Sequence, residues 1–126
     1  MLTRNDVSAK ITTVDNASAT PDLSVQFYAA SEETALAEPI VFHWFLSKDA
    51  TAQALVADTT DTTDIVIKTN GTILVEDVTD VMGVAITEAT GLADFTITVV
   101  DGKTAVLNVV MPNGKLLQSE VLTWAS

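Results

Sequence analysis

The sequence predicts an all-β protein, a single antiparallel β-sandwich of seven to nine strands, and three observations predict it. Threonine, valine and isoleucine recur throughout; such β-branched side chains lose rotamer freedom in a helix but pack well on a pleated sheet. Apolar residues repeat with period two. Turn residues break the chain about every ten positions, the spacing of sandwiches and barrels. The 126 residues suit one domain, 1–126, and no linker rich in proline, glycine or serine divides them.

In chain order, Val7–Thr13 forms a first strand ahead of the Asp15-Asn16 turn. Leu23, Val25, Phe27 and Ala29 then share one face, with Ser24, Gln26 and Tyr28 opposite. Ser31–Glu38 reads as a long loop or a single helical turn. From Ile40, the set Ile40, Phe42, Trp44 and Leu46 points one way, against Val41, His43, Phe45 and Ser47. Ala52–Ala57 would tolerate a helix, but its brevity favours a short edge strand. Asp64–Lys68 and Thr72–Glu76 read as two strands split by Thr69-Asn70-Gly71, where Asn-Gly supplies the positive φ values of a tight hairpin. Asp77–Met82 is a connection and Gly83–Thr87 a short strand. Phe95, Ile97 and Val99 alternate with Thr96, Thr98 and Val100 up to an Asp101-Gly102 turn. Ala105, Leu107, Val109 and Met111 alternate with Val106, Asn108 and Val110. Pro112-Asn113-Gly114 reverses the chain, Pro112 presetting a turn dihedral, and Lys115–Ala125 returns as the last strand. The expected result is a three-stranded meander over residues 92 to 125.

Composition narrows the function classes. There are no cysteines, so disulfides, thiolate metal sites and cysteine nucleophiles are out. Six basic against seventeen acidic residues give a formal charge of -11, unsuited to a nucleic-acid partner. The opening Met1–Val7 holds no apolar block of signal-peptide length, and no apolar run approaches the ~20 residues that span a bilayer. The chain is expected to be soluble, made in the cytoplasm and without a membrane partner.

No residue pattern names a catalytic, cofactor or metal site. His43, the single histidine, has no second imidazole or nucleophile motif beside it and reads as a strand residue facing solvent or a polar partner. Trp44 shares its face with Ile40, Phe42 and Leu46 and reads as core, rather than as an exposed stacking platform for sugar. Trp124 either closes the core or covers a neighbouring subunit. Asp58, Asp61 and Asp64 offer hard oxygens, but the calcium-loop glycine and closing glutamate are missing, so a solvated loop is expected. Glu32-Glu33 and Glu76-Asp77-Asp80 are read likewise, as crowding on an acidic chain. The glycines at 71, 83, 91, 102 and 114 are isolated, so no phosphate-cradling loop forms.

Thr79-Asp80-Val81-Met82-Gly83-Val84-Ala85 resembles the Thr-Asp-x-x-Gly-x-Ala run of bacterial immunoglobulin-like modules. Gly91–Thr98, Thr104, Leu107–Leu116 and Ser119, with Trp44–Asp49 upstream, resemble small virion structural proteins of tailed bacteriophages. The likeness spans most of residues 40 to 125 and rests on turn-and-strand patterns. It implies an immunoglobulin-like sandwich and a head decoration (cement) protein, a binder without chemistry. The implied partner is the major capsid protein, held at the outer surface of the assembled head and stabilising it. Made in the host cytoplasm, the protein would reside on the virion, with a homotrimer favoured. Paired cysteines and a tyrosine corner are missing, which leaves the strand order open. Residues 1–6 are expected to be an arm, either a strap onto coat protein through Leu2 and Arg4 or a frayed terminus. The rivals are a tail or fibre ornament contacting host glycans through Tyr28, Phe45 or Trp124, a cell-surface adhesion module, and, last, an enzyme.

Overall fold

The computed structural model describes residues 7–14, 19–29, 35–52, 54–56, 62–111 and 114–123. Among them are ten strands and no helix: β1 (Val7–Val14), β2 (Asp22–Ala29), β3 (Val41–Ser47), β4 (Thr62–Ile67), β5 (Thr72–Val78), β6 (Met82–Ile86), β7 (Leu92–Val99), β8 (Thr104–Val110), β9 (Leu116–Gln118) and β10 (Leu122–Thr123). They make two antiparallel sheets. The first has the order β1-β2-β7-β4; the second runs β10-β8-β3-β6-β5, with β9 also paired to β8. No helix among the described residues is long and apolar enough to cross a membrane.

Alternation builds the core between the sheets. Leu23, Val25 and Phe27 from β2, with Ala93, Phe95, Ile97 and Val99 from β7, face Phe42, Trp44 and Leu46 from β3 and Leu107 and Val109 from β8, all buried. Rings meet across the layers: Phe27 and Phe42 lie 5.4 Å apart, Phe42 stands edge-on to Phe95 at 6.2 Å, and Trp44 reaches Phe95 at 6.2 Å. Tilted and edge-on pairs suit the quadrupoles of aromatic rings and add to the gain from burial. Trp44 is therefore a core residue, and His43 on the same strand is exposed.

Two expected hairpins are corrected. β4 pairs with β7 while β5 pairs with β6, so the Asn70-Gly71 turn crosses from one sheet to the other. β7 and β8 likewise belong to different sheets, and Asp101-Gly102 is a second crossing rather than a meander turn. A turn signal shows where a strand ends; it does not show which strand becomes the neighbour. The short strand Gly83–Thr87 is present as β6, hairpinned to β5. Of the edge strand expected at Ala52–Ala57, the described residues 52 and 54–56 add no strand to either sheet, although Leu55 bridges Ser47. The connectivity also departs from an immunoglobulin variable domain, in which two extra strands follow the third directly. Here β4 enters the first sheet before β5 and β6 are added beside β3.

The expected last strand is present in two pieces, β9 and β10, both antiparallel to β8. Their registers differ by one residue, so a bulge lies between them. Ser119 repairs the ladder there: its N–H donates to the Leu107 carbonyl at 2.9 Å, and its Oγ accepts from the Leu107 N–H at 3.0 Å.

Asp94 on β7 clasps the first crossing turn. Its carboxylate accepts from the backbone N–H groups of Thr69 and Asn70, both at 2.8 Å, and from Asn70 Nδ2 at 2.9 Å. Gly71 follows at φ 96°, with the Ile86 carbonyl and Ala93 so close that a Cβ would stand 2.9 Å and 3.2 Å from them. Burial pushes the Asp94 carboxyl up, but the bonds from Asn70 and Thr69 and the Lys68 charge outweigh it and hold it below the ordinary value. Asp22 is held down by Lys68, whose ammonium donates to it at 2.8 Å, and by Thr96. Both folded values lie below the ordinary 3.8 of an unfolded aspartate. Their stabilisation is thus complete well above 3.8 and is lost as pH falls through the lowered values. Asp94→Ala is expected to cost about 1–3 kcal/mol at neutral pH, by stranding turn donors. Urea midpoints at neutral and strongly acidic pH check this, since the variant should lose less further stability in acid than the parent.

Candidate docking face

In an antiparallel ladder, residues directly opposite each other share a face, so the registers assemble the outer surface of the second sheet row by row. Val41 lies opposite Ile86, and Ile86 opposite Thr72. His43 is flanked by Val110 and then Leu116 on one side, and by Val84 and then Val75 on the other. Phe45 is flanked by Asn108 and Gln118, and by Met82 and Val78. These rows hold no carboxylate, lysine or arginine. Their apolar members reach water: Val41 is 52% exposed, Val75 49%, Leu116 47% and Val78 45%. His43, exposed at the centre, is the only titratable group in them.

The outer surface of the first sheet is a control within the same molecule. Its rows read Lys10, Gln26 and Leu92; then Thr12, Ser24 and Asp94; then Val14, Asp22, Thr96 and Val66. Polar groups dominate there, as on an ordinary solvated sheet face. On a chain of charge -11, an outer sheet face free of carboxylates stands apart. With strands about 4.8 Å apart and rows about 6.8 Å apart, five strands and three rows cover on the order of 400 Å². Nine of the thirteen positions in these rows are apolar, and apolar patches of a few hundred Å² are often functional.

Two features set its limits. At one corner the turn after β3 folds over the sheet. Gln118 Nε2 donates to the Ala50 carbonyl at 3.0 Å and to Asn108 Oδ1 at 2.8 Å, while Asn108 Nδ2 donates to Ser47 Oγ at 2.8 Å. Ser47, Val106 and Asn108 are fully buried as a result, although alternation alone turned them outward. At the opposite edge, β5 slips register twice against β6, between Ile73 and Val75 and between Glu76 and Val78. The slips set Val75 and Val78, three residues apart, on the same face. Such bulges also distort the free edge and blunt strand addition there, so the face rather than the edge is open to a partner.

The residues singled out from sequence scatter. Leu2, Arg4 and Trp124 lie outside the described residues, as do the arm 1–6, Glu32, Glu33, Asp58 and Asp61. Asp64 is exposed on β4, and no group of three or more potential metal ligands occurs among the described residues. Tyr28 and Phe45, both half-buried, lie on the outer faces of different sheets, so they do not form one sugar platform. Sequence reading passed over the docking face although a signal was there. His43 apart, Val41-Phe42-His43-Trp44-Phe45 and Met82-Gly83-Val84-Ala85-Ile86 carry no polar side chain at either alternating set, the mark of a strand covered on both sides. Comparison of the chain with known protein families, with curated proteins and with solved structures finds no match.

Proposed function

We propose that this chain is a structural adhesion protein without catalytic activity, a decoration (cement) protein that lays the outer face of its second sheet on the exterior of a phage major capsid protein. The observation that supports this reading is the exposed apolar, carboxylate-free face on a strongly acidic chain. Burying that face strips water from no carboxylate, lysine or arginine, so docking avoids the cost of desolvating those charges. The patch is about half of the ~800 Å² that each partner contributes to a standard specific interface. One contact of that size is weak, and adhesion to a shell needs neighbours to reinforce it, as a symmetric lattice provides. A strap carrying Leu2 and Arg4, and Trp124 against a neighbouring copy in a trimer, complete the proposed contacts. The polar face of the first sheet then points to solvent on the outside of the virion.

His43→Asp tests the reading, because position 43 is exposed and the substitution leaves the core untouched. Docking would bury an unpaired carboxylate at the centre of the contact, and binding to undecorated heads is expected to weaken at least tenfold, about 1.4 kcal/mol or more. Cosedimentation with heads reads the loss, and circular dichroism checks the fold. Heads stripped of the protein are also expected to break at lower temperature or at low salt. Unchanged head resistance, or full binding by the variant, counts against the reading.

A further inference from the structure

The border of the docking face points to the kind of surface it meets. Exposed carboxylates stand around it: Glu38 and Glu88 beyond the Val41–Ile86 row, and Asp77 at the second slip of β5. The first pair is brought to that end by the reciprocal bonds of Ile40 and Thr87, Ile40 N–H to Thr87 Oγ1 and Thr87 N–H to the Ile40 carbonyl, both 2.9 Å. Asp80 in the β5–β6 turn and Glu120 beside the bulge of the last edge add to this border, while Lys115 and Lys48 are its cations.

We infer that the occupant of this face is an apolar protein surface bordered by lysine or arginine side chains, and not a second copy of the chain. The inference rests on the docking reading above and names the partner's chemistry. Charge decides between the occupants. Two copies laid face to face would bring two acidic borders together around a contact of only about 400 Å² per copy, too little to outweigh the repulsion. A basic border would instead meet mostly opposite charge around a centre without carboxylate, lysine or arginine. That arrangement speeds encounter and fixes orientation, and it weakens as salt screens the border.

Two synthetic peptides of about fourteen residues serve as probes, one alternating leucine with lysine and one alternating leucine with glutamate. Each presents a leucine face at strand period, and the two carry charge of opposite sign on the other face, on side chains long enough to bend round the strand toward the border. Binding is measured by fluorescence anisotropy of labelled peptide, and the state of the chain alone by analytical ultracentrifugation in low and high salt. The Leu–Lys peptide is expected to bind at least tenfold more tightly than the Leu–Glu peptide and to weaken severalfold in high salt. It should also bind His43→Asp at least tenfold more weakly. That last result separates docking from bulk attraction, because the variant is more acidic and simple charge attraction would bind it more tightly. Equal binding of the two peptides, or undiminished binding to His43→Asp, overturns the inference. So does a dimer in high salt that His43→Asp abolishes, which would make a second copy the occupant. If the peptides fail to discriminate while His43→Asp still loses its hold on heads, the docking reading stands and only the basic border falls. If the variant keeps both activities, both fall.

Discussion

Trp44→Ala is expected to lower the unfolding free energy by about 3–5 kcal/mol, a large share of the roughly 5–15 kcal/mol that holds a domain of this size together. The indole is 1% exposed and leans on Phe95 across the sandwich. Removing it leaves a void lined by Phe95 and Gly83 that strands locked in two ladders cannot close. One feature of the site works the other way. Trp44 Nε1 is buried with no hydrogen-bond partner, and an orphaned donor costs about 1–3 kcal/mol. Trp44→Phe keeps an aromatic ring against Phe95 and deletes that donor, so it is expected to lose less than about 2 kcal/mol. Urea denaturation followed by far-ultraviolet circular dichroism measures both variants. Equal losses would mean that the ring kept by phenylalanine gains nothing from its packing against Phe95.

Gly83→Ala is the second large effect, and it links the core to the docking face. A Cβ at position 83 would lie 2.2 Å from the Val75 carbonyl oxygen, 3.0 Å from Glu76 Cα and 3.1 Å from Trp44 Cζ2. Two of these neighbours are backbone and the third is packed in the core, so none yields by turning a side chain. The strain falls on β5, which ends its sheet and slips register twice. The expected cost is about 3 kcal/mol, the upper range for forcing extra volume into a packed site. It should appear first as local opening: amides of Thr72–Val78 lose hydrogen-exchange protection while those of β2 and β7 keep theirs. Since Val75 and Val78 leave with β5, head binding should weaken in the same variant. Protection that falls evenly over both sheets would show that β5 does not open by itself.

These variants also mark how far residue order reached. Trp44 was legible as core because Phe42 and Leu46 share its face, and the exposure of His43 followed from the same alternation. Asn108 and Ser47 were not legible as buried. Their cover comes from Gln118 and the turn at Ala50, and both Gln118 and Ala50 donate or accept bonds that arise only after the chain has closed on itself. The crossings at Asn70-Gly71 and Asp101-Gly102 looked like hairpins because the turn residues are the same in both cases. Asp94, which holds the first crossing in place, stands more than twenty residues from the turn it binds.

Residue order alone was enough for the all-β class, for most strand positions and for the inward set of side chains, since period-two alternation is written within each strand and needs no partner to be read. Which strands lie side by side, and hence that Val41, Val75, Val84, Val110 and Leu116 gather round His43 on one face free of carboxylates, came only with the folded chain. Strand pairing is chosen by contacts between distant segments competing to bury their inner faces, and no local pattern encodes the outcome of that competition.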